Sequence, residues 1–340
     1  MSKVLVTGAS GFIGGYIVSE LLNGGHEVIG VDNLSKYGKV IRTFDDSSSY
    51  TFVEGDVQDA SLMLELLDGC EHLVAGAALI GGISYFHEYA YDLLAQNERI
   101  IASTCDAAIK AHRSGTLRKV TYMSSSMVFE STDHWPSVEG DERKVPPPLS
   151  SYGFQKLAVE YFAKAAWDQY QLPYTIVRPF NCVGIGEVRA LGEAHVSSGS
   201  VKLAMSHVVP DIVQKIVKGQ DPLRILGTGE QIRHYTYGAD LAAGIVAAMV
   251  HPHALNDDFN LSTAESTTVL ELAENIWKRI NGDKPFRYES DDPFEYDVQK
   301  RVPSVEKSRE VLGFECTTTL DEMLDIVIPW IVAAVDDGLI

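Results

Sequence analysis

The chain has 340 residues, 45% of them hydrophobic, and a formal net charge of −19. That length and composition suit a dinucleotide-type domain with a smaller companion, each with a real core. The acidic balance argues against nucleic acid as a partner, and no apolar run is long enough to cross a bilayer. Cys70, Cys105, Cys182 and Cys316 stand far apart with no CxxC pair, as expected of reduced, mostly buried thiols in a cytoplasmic protein. The ten histidines scatter along the chain, so no metal site is expected.

The chain opens on an apolar run through Val4, Leu5 and Val6, too soon for a signal peptide, and the run breaks at Gly8. Phe12, Ile13, Ile17, Leu21 and Leu22 then restart at helical spacing. Gly8, Gly11 and Gly14 punctuate the turn between strand and helix. This is the arrangement that seats a dinucleotide pyrophosphate on bare backbone at a helix N-terminus. Gly8 permits the turn, Gly11 the approach of the pyrophosphate, and Gly14 close packing of helix on strand. A second strand, His26–Val31, leads to Asp32. A carboxylate there accepts hydrogen bonds from both ribose hydroxyls and repels a 2′-phosphate, which favours NAD over NADP. Asp56, after the strand Tyr50–Val53, is placed either to receive the adenine amino group or to cap the next helix.

Further strands are expected at His72–Gly76, Lys119–Met123 and Tyr174–Arg178, with helices at Asp92–Ala111 and Tyr152–Tyr170. The alternation predicts an α/β fold: a doubly wound parallel Rossmann sheet with right-handed crossovers and a smaller C-terminal substrate-binding domain. The expected division is 1–182 for the cofactor domain, with later segments returning to it, and 183–340 mainly for the substrate. Residues 184–204 are rich in Gly and Ser without clear period and read as an irregular substrate-facing loop. Beyond it come Val208–Lys218, a short strand at Leu223–Leu226, and helices near 240–250, 267–281 and 320–335.

Tyr152 and Lys156 stand four apart, one above the other on a helix face. A tyrosine is a poor base at neutral pH, but a nearby ammonium and the positive nicotinamide ring both favour the phenolate. The strand Lys119–Met123 runs into Ser124, Ser125 and Ser126. Open parallel sheets place sites beyond the carboxyl ends of their strands, which brings one of these serines near the tyrosine.

At this point the chain resembles the extended short-chain dehydrogenases/reductases, in particular the nucleotide-sugar epimerases and dehydratases. TGASGFIG, GVDNLS, EGDVQD, SSSMVF, SSYGFQKLAVE, RPFN and GTGEQIRHYTYGADLA stand where family motifs stand. The resemblance implies a catalytic set of Ser125, Tyr152 and Lys156. It implies NAD contacts from Gly8, Gly11, Phe12, Ile13, Gly14, Asp32, Asn33, Asp56, Val57, Ala77 and Asn97, with Tyr152 and Lys156. It implies a nucleotide-diphosphate sugar held by Ser125, Asn181, Arg233 and Arg301, and a homodimer formed through the helices on either side of the fifth strand. For Arg301 a structural salt bridge is an equal reading. Glu187, Arg189 and His195 stand in the irregular loop, facing either the sugar or solvent.

Departures from the family narrow the chemistry. The 4,6-dehydratases carry Asp-Glu where this chain has Ser126 and Met127, and the decarboxylases keep the Glu. The 3,5-epimerases use a Cys at the Met127 position. What remains needs only Tyr, Ser and NAD, which is a 4-epimerase. Gly81-Gly82-Ile83 and Ser206-His207-Val208-Val209-Pro210 look closer to the GDP-sugar branch, and the Asp expected after Arg233 is His234. The other readings are a reductase or dehydrogenase with net redox change, and a noncatalytic NAD(H)-binding regulator.

Overall fold

The computed structural model describes residues 1–81, 88–190, 193–201, 207–293 and 298–340. Gly82, Ile83 and Ser206 lie outside the described residues. A seven-stranded parallel sheet organises the molecule. Its first six strands in chain order are β1 (Lys3–Thr7), β2 (Glu27–Asp32), β3 (Tyr50–Glu54), β4 (His72–Ala75), β5 (Lys119–Met123) and β6 (Tyr174–Pro179). The seventh is Asp257–Leu261, and the spatial order is seventh, β6, β5, β4, β1, β2, β3. The order reverses between β1 and β4, so a crevice opens at their carboxyl ends.

The apolar strands are covered on both faces, as a parallel sheet requires. All five residues of β5 are buried. One face packs on helix α1 (Phe12–Asn23) and the helix Gly238–Val250, with Val4, Val6, Ile17, Leu21 and Ile245 at its centre. The other face packs on the helices Ala90–Ser114 and Ser151–Tyr170, around Leu5, Leu73, Val120, Tyr122 and Ala163. A third core joins the helices Val208–Val217, Val269–Asn281 and Leu320–Asp336 in the C-terminal part. The last two of these start at capping boxes, Thr268 with Glu271 and Thr319 with Glu322.

One aromatic ring ties α1 to the chain beyond β6. Tyr16 of α1 reaches the 184–185 loop, where its hydroxyl accepts the Ile185 N–H at 2.8 Å. Glycine is required on either side of the ring. A Cβ at Gly184 would strike the Tyr16 hydroxyl, and one at Gly238 would lie 2.6 Å from a ring carbon.

Three expectations need correction. The seventh strand was not foreseen: its sequence, DDFNL, opens on two carboxylates and has no clean apolar period. The stretch 184–204 is not irregular throughout, because Ala194–Val196 and Gly199–Val201 form an antiparallel hairpin. Nor does the helix near 267–281 start at Thr267. Thr267 and Thr268 pair with Ile232 and Arg233 before the helix begins. Among the described residues no helix is long and apolar enough to cross a membrane.

Candidate active site

The crevice is shaped on one side by the glycine turn. Gly8 has φ +75°, and a Cβ there would lie 3.0 Å from the Cα of Ala77. A Cβ at Gly14 would lie 2.9 Å from the Gly8 carbonyl carbon, so the helix can sit this close only without a side chain. α1 starts after Gly11 with no side-chain cap and no acidic residue in its first turn. Its N-terminal amides and dipole are therefore left to an outside anion. Phe12 and Ile13 form that first turn.

Polar side chains fix the loops around the turn. Thr7 Oγ1 accepts the N–H of Gly76 at 3.1 Å and of Ala77 at 3.0 Å. Asn97 clamps the loop after β4 from both sides, accepting from Leu79 N–H at 2.7 Å and donating to its carbonyl at 3.0 Å. Asp32 ends β2 beside the turn and accepts from Ser10 N–H at 3.1 Å and Leu34 N–H at 2.8 Å. Burial raises its carboxyl above the ordinary range, against the pull of these donors. Asn33 Oδ1 accepts the Ser35 N–H in an exposed turn. Asp56 does not cap the next helix: Asp59 does, while Asp56 accepts from Gln58 N–H. Val57 is buried beside it, with its carbonyl taken by Ser103.

On the far side of the crevice, β5 runs out into Ser124 and Ser125 and then a 3₁₀ turn, Ser126–Phe129. The two serines separate in role. Ser124 Oγ donates to Glu160 Oε1 at 2.7 Å, away from the crevice. Ser125 hydrogen-bonds the Tyr152 hydroxyl. Tyr152 is held by the start of its helix. Ser150 caps that helix through Gly153 N–H at 3.0 Å, and Glu130 accepts from the Ser150 amide and hydroxyl. One turn on, Lys156 Nζ donates to the Met123 carbonyl at 3.0 Å and stands 5.9 Å from the Tyr152 ring centroid. Burial pulls the Lys156 ammonium down to about 8. Burial also pushes the Tyr152 phenol up, while the Ser125 bond and the Arg301 charge act the other way. Ser126 and Met127 are buried in the 3₁₀ turn.

Beneath this set lies a charge network that sequence reasoning missed. Arg178 of β6 is fully buried. Its Nε and Nη2 meet the two Glu160 oxygens at 2.7 and 2.8 Å, and Nη2 also meets Asp258 at 2.6 Å and Glu142 at 3.4 Å. The available signal was a lone Arg inside the apolar strand YTIVRP, which demands a buried acid somewhere in the fold.

The residues expected to meet the substrate come from separate segments. Ile232 N–H donates to the Gln299 carbonyl at 2.9 Å, and Arg301 N–H donates to the Ile232 carbonyl at 3.1 Å. These bonds lay the Arg233 and Arg301 segments side by side. Both guanidinium charges act on the buried Tyr235 phenol, and Arg301 acts also on Tyr152. Asn181, at φ +38°, donates from Nδ2 to the His234 carbonyl at 3.3 Å. His234 is itself buried, its Nδ1 on the Thr263 carbonyl, and burial holds its imidazole below the ordinary range. Glu187 is buried and pairs with His207, whereas Arg189 and His195 are exposed.

A family model described as the NAD dependent epimerase/dehydratase family matches residues 4–262. The chain is 27% identical to an uncharacterised UDP-glucose epimerase of Bacillus subtilis, over 95% of each chain. It is 27% identical to a UDP-glucose 4-epimerase of Yersinia pestis, over 94% of each. Among solved structures, the UDP-glucose 4-epimerase of Thermotoga maritima, crystallised with UDP-glucose, matches with a TM-score of 0.80 at 26% identity, over 98% of this chain and 99% of that one. A UDP-glucuronic acid 4-epimerase of Bacillus cereus, solved with UDP-glucuronic acid and NAD, shares the fold at a TM-score of 0.81 and 22% identity, over 97% and 98% of the two chains.

Proposed function

This chain belongs to the NAD dependent epimerase/dehydratase family, and from that premise we propose that it is a nucleotide-sugar 4-epimerase. The observation that carries the reading is the composition of the wall around Tyr152. Ser125, Tyr152 and Lys156 converge there, and the neighbouring 3₁₀ turn offers only the neutral side chains of Ser126 and Met127. Dehydration, decarboxylation or inversion at C3 or C5 each needs a further acid, base or carboxylate-handling group.

Bound NAD supplies the exchange of a hydride with C4 of the sugar. Tyr152 takes the proton of the 4-hydroxyl and returns it after inversion. Ser125, bonded to the same phenol, steadies the oxygen from which that proton leaves. Lys156 keeps positive charge under the phenol, which lowers the cost of the phenolate. It also has protons to spare for the nicotinamide ribose. In this reading Arg233 and Arg301 hold the diphosphate, for which the guanidinium fork is suited, and Asn181 contacts the sugar nucleotide.

Two of the named relatives are UDP-glucose 4-epimerases, so UDP-hexoses head the panel to be tested, followed by GDP-, dTDP- and CDP-sugars. The expected product has the same mass as the substrate, is inverted at C4 by NMR, and gains no carbon-bound deuterium in D₂O. Deuterium at C3 or C5, or loss of water or carbon dioxide, overturns the reading.

Cofactor choice rests on Asp32. The Asp32→Ala variant is expected to bind NAD at least about tenfold more weakly, consistent with losing its charge-assisted hydrogen bonds to the ribose, and to narrow its preference over NADP. Calorimetry on both proteins checks this, and equal affinity of the parent for the two cofactors would remove Asp32 from that role.

We also infer a homodimer. The helices Ala90–Ser114 and Ser151–Tyr170 pack together and leave Tyr91, Phe154 and Tyr161 exposed, and Leu149, two residues before the second helix, is exposed as well. So much exposed aromatic surface on one helix pair fits a self-complementary apolar interface. Sedimentation should give twice 37.3 kDa, and a monomer at micromolar concentration would exclude it.

A further inference from the structure

Gln155 stands immediately before Lys156 and is 2% exposed. Its Oε1 is buried with no hydrogen-bond partner among the described residues. A buried amide oxygen left in this state costs about 1–3 kcal/mol, a cost that one ordered water can offset. Gln155 lines a small, largely enclosed pocket with Thr7, Asn97, Thr104, Met123 and Lys156. The space open to the centre of a water there is about 10 Å³, the room of a single molecule.

Lys156 supplies the complementary group. An ammonium has three protons. One goes to the Met123 carbonyl. Under the proposed function a second serves the nicotinamide ribose. Among the described residues Nζ makes no hydrogen bond beyond the one to Met123, so the third is left for the pocket. Asn97 does not compete for it, since its oxygen is engaged by Leu79. A spare donor and a spare acceptor thus share one pocket of water size.

We propose that Gln155 is a positioning residue for Lys156, acting through one ordered water that accepts from Nζ and donates to Gln155 Oε1. The water fixes the ammonium beneath Tyr152 and stabilises its charged form. No charge elsewhere does this work. The pocket walls from β1 (Thr7), the exit of β4 (Ala75 and Ala77), the helix Ala90–Ser114 (Asn97 and Thr104) and β5 (Met123) are neutral. On the Lys156 helix itself, Glu160 is turned to Ser124 and Arg178, and Tyr152 is the titratable neighbour, with Arg301 acting on it from the substrate side. Burial alone draws the ammonium down to about 8, so an added acceptor shows directly in its titration. The role assigned to Lys156 rests on the 4-epimerase reading, but its titration does not depend on turnover.

The test is a pH titration of the intact protein labelled with ¹³C at the lysine ε-carbons, with the Lys156 signal identified by its loss in K156R. In Q155L, which keeps the volume and removes the acceptor, Lys156 is expected to titrate about one pH unit lower than in the parent, a tenfold loss of proton affinity. In Q155E it is expected to titrate higher. A merely structural role for Gln155 would lower thermal stability in both variants without moving the titration in opposite directions. Unmoved titrations overturn the proposal, as does a high-resolution crystal structure of the parent with a dry pocket. If Q155L does not fold, Q155E decides alone: no upward shift overturns it. Failure to epimerise any sugar nucleotide would sink the proposed function and leave the titration result standing.

Discussion

Tyr152→Phe is expected to lower kcat by at least about 10³-fold while NAD stays bound. The phenol is the group placed to carry the proton, and general acid–base groups contribute on the order of 10²–10⁴-fold. Phe keeps the aromatic ring and removes only the hydroxyl. Turnover is read by NMR on the productive sugar nucleotide, and retention of cofactor by absorbance after gel filtration. Activity near the parent's would exclude Tyr152 from the reaction. The two adjacent serines sharpen the test. Ser125 bonds the phenol, whereas Ser124 bonds Glu160. Ser125→Ala should therefore cost about 10²-fold or more in kcat. Ser124→Ala should fall mainly on stability, and the reverse ranking would mean the wrong serine had been assigned.

Arg178→Met is expected to cost about 3–5 kcal/mol of stability, because it strands buried carboxylates rather than removing a balanced pair. Urea unfolding at pH 7 measures the loss, and a value under about 1 kcal/mol would show that the network is not structural. The pH dependence has a definite sign. Burial pushes the Asp258 carboxyl up, yet Arg178 and Lys307 hold it below the ordinary range. In the parent this group contributes stability above its unfolded pKa and loses it as pH falls through the lower folded value. Without Arg178 the carboxyl moves up instead. The variant then loses stability as pH rises, so its deficit shrinks between pH 7 and pH 5.

Features legible in the sequence are those whose partners are local. Gly8, Gly11 and Gly14 mark a turn because strand, turn and helix follow one another, and the spacing of Tyr152 and Lys156 is fixed by one helix. Asp32 needs only the end of β2. Long-range pairing was not legible. Asp258 opens a strand with a second carboxylate, a poor strand signal, and its partner Arg178 becomes adjacent only when that strand lies beside β6. Arg233 and Arg301 are brought together by a backbone ladder between segments with no sequence signature of pairing. The 194–201 hairpin is too short to show a period above its glycines and serines.

The Tyr16 ring, lodged between Gly184 and Gly238, bears on how such a chain can be rebuilt by recombination. A chimaera that keeps this cofactor half and borrows its C-terminal half from a relative inherits a slot as well as a substrate pocket. Any donor with side chains at both glycine positions would have to displace the ring, and α1 with it. Crossover points should therefore be chosen by what the donor carries at positions 184 and 238 before its specificity is considered. Exchanging Tyr16 for a smaller residue would be the companion change that opens the slot to bulkier donors.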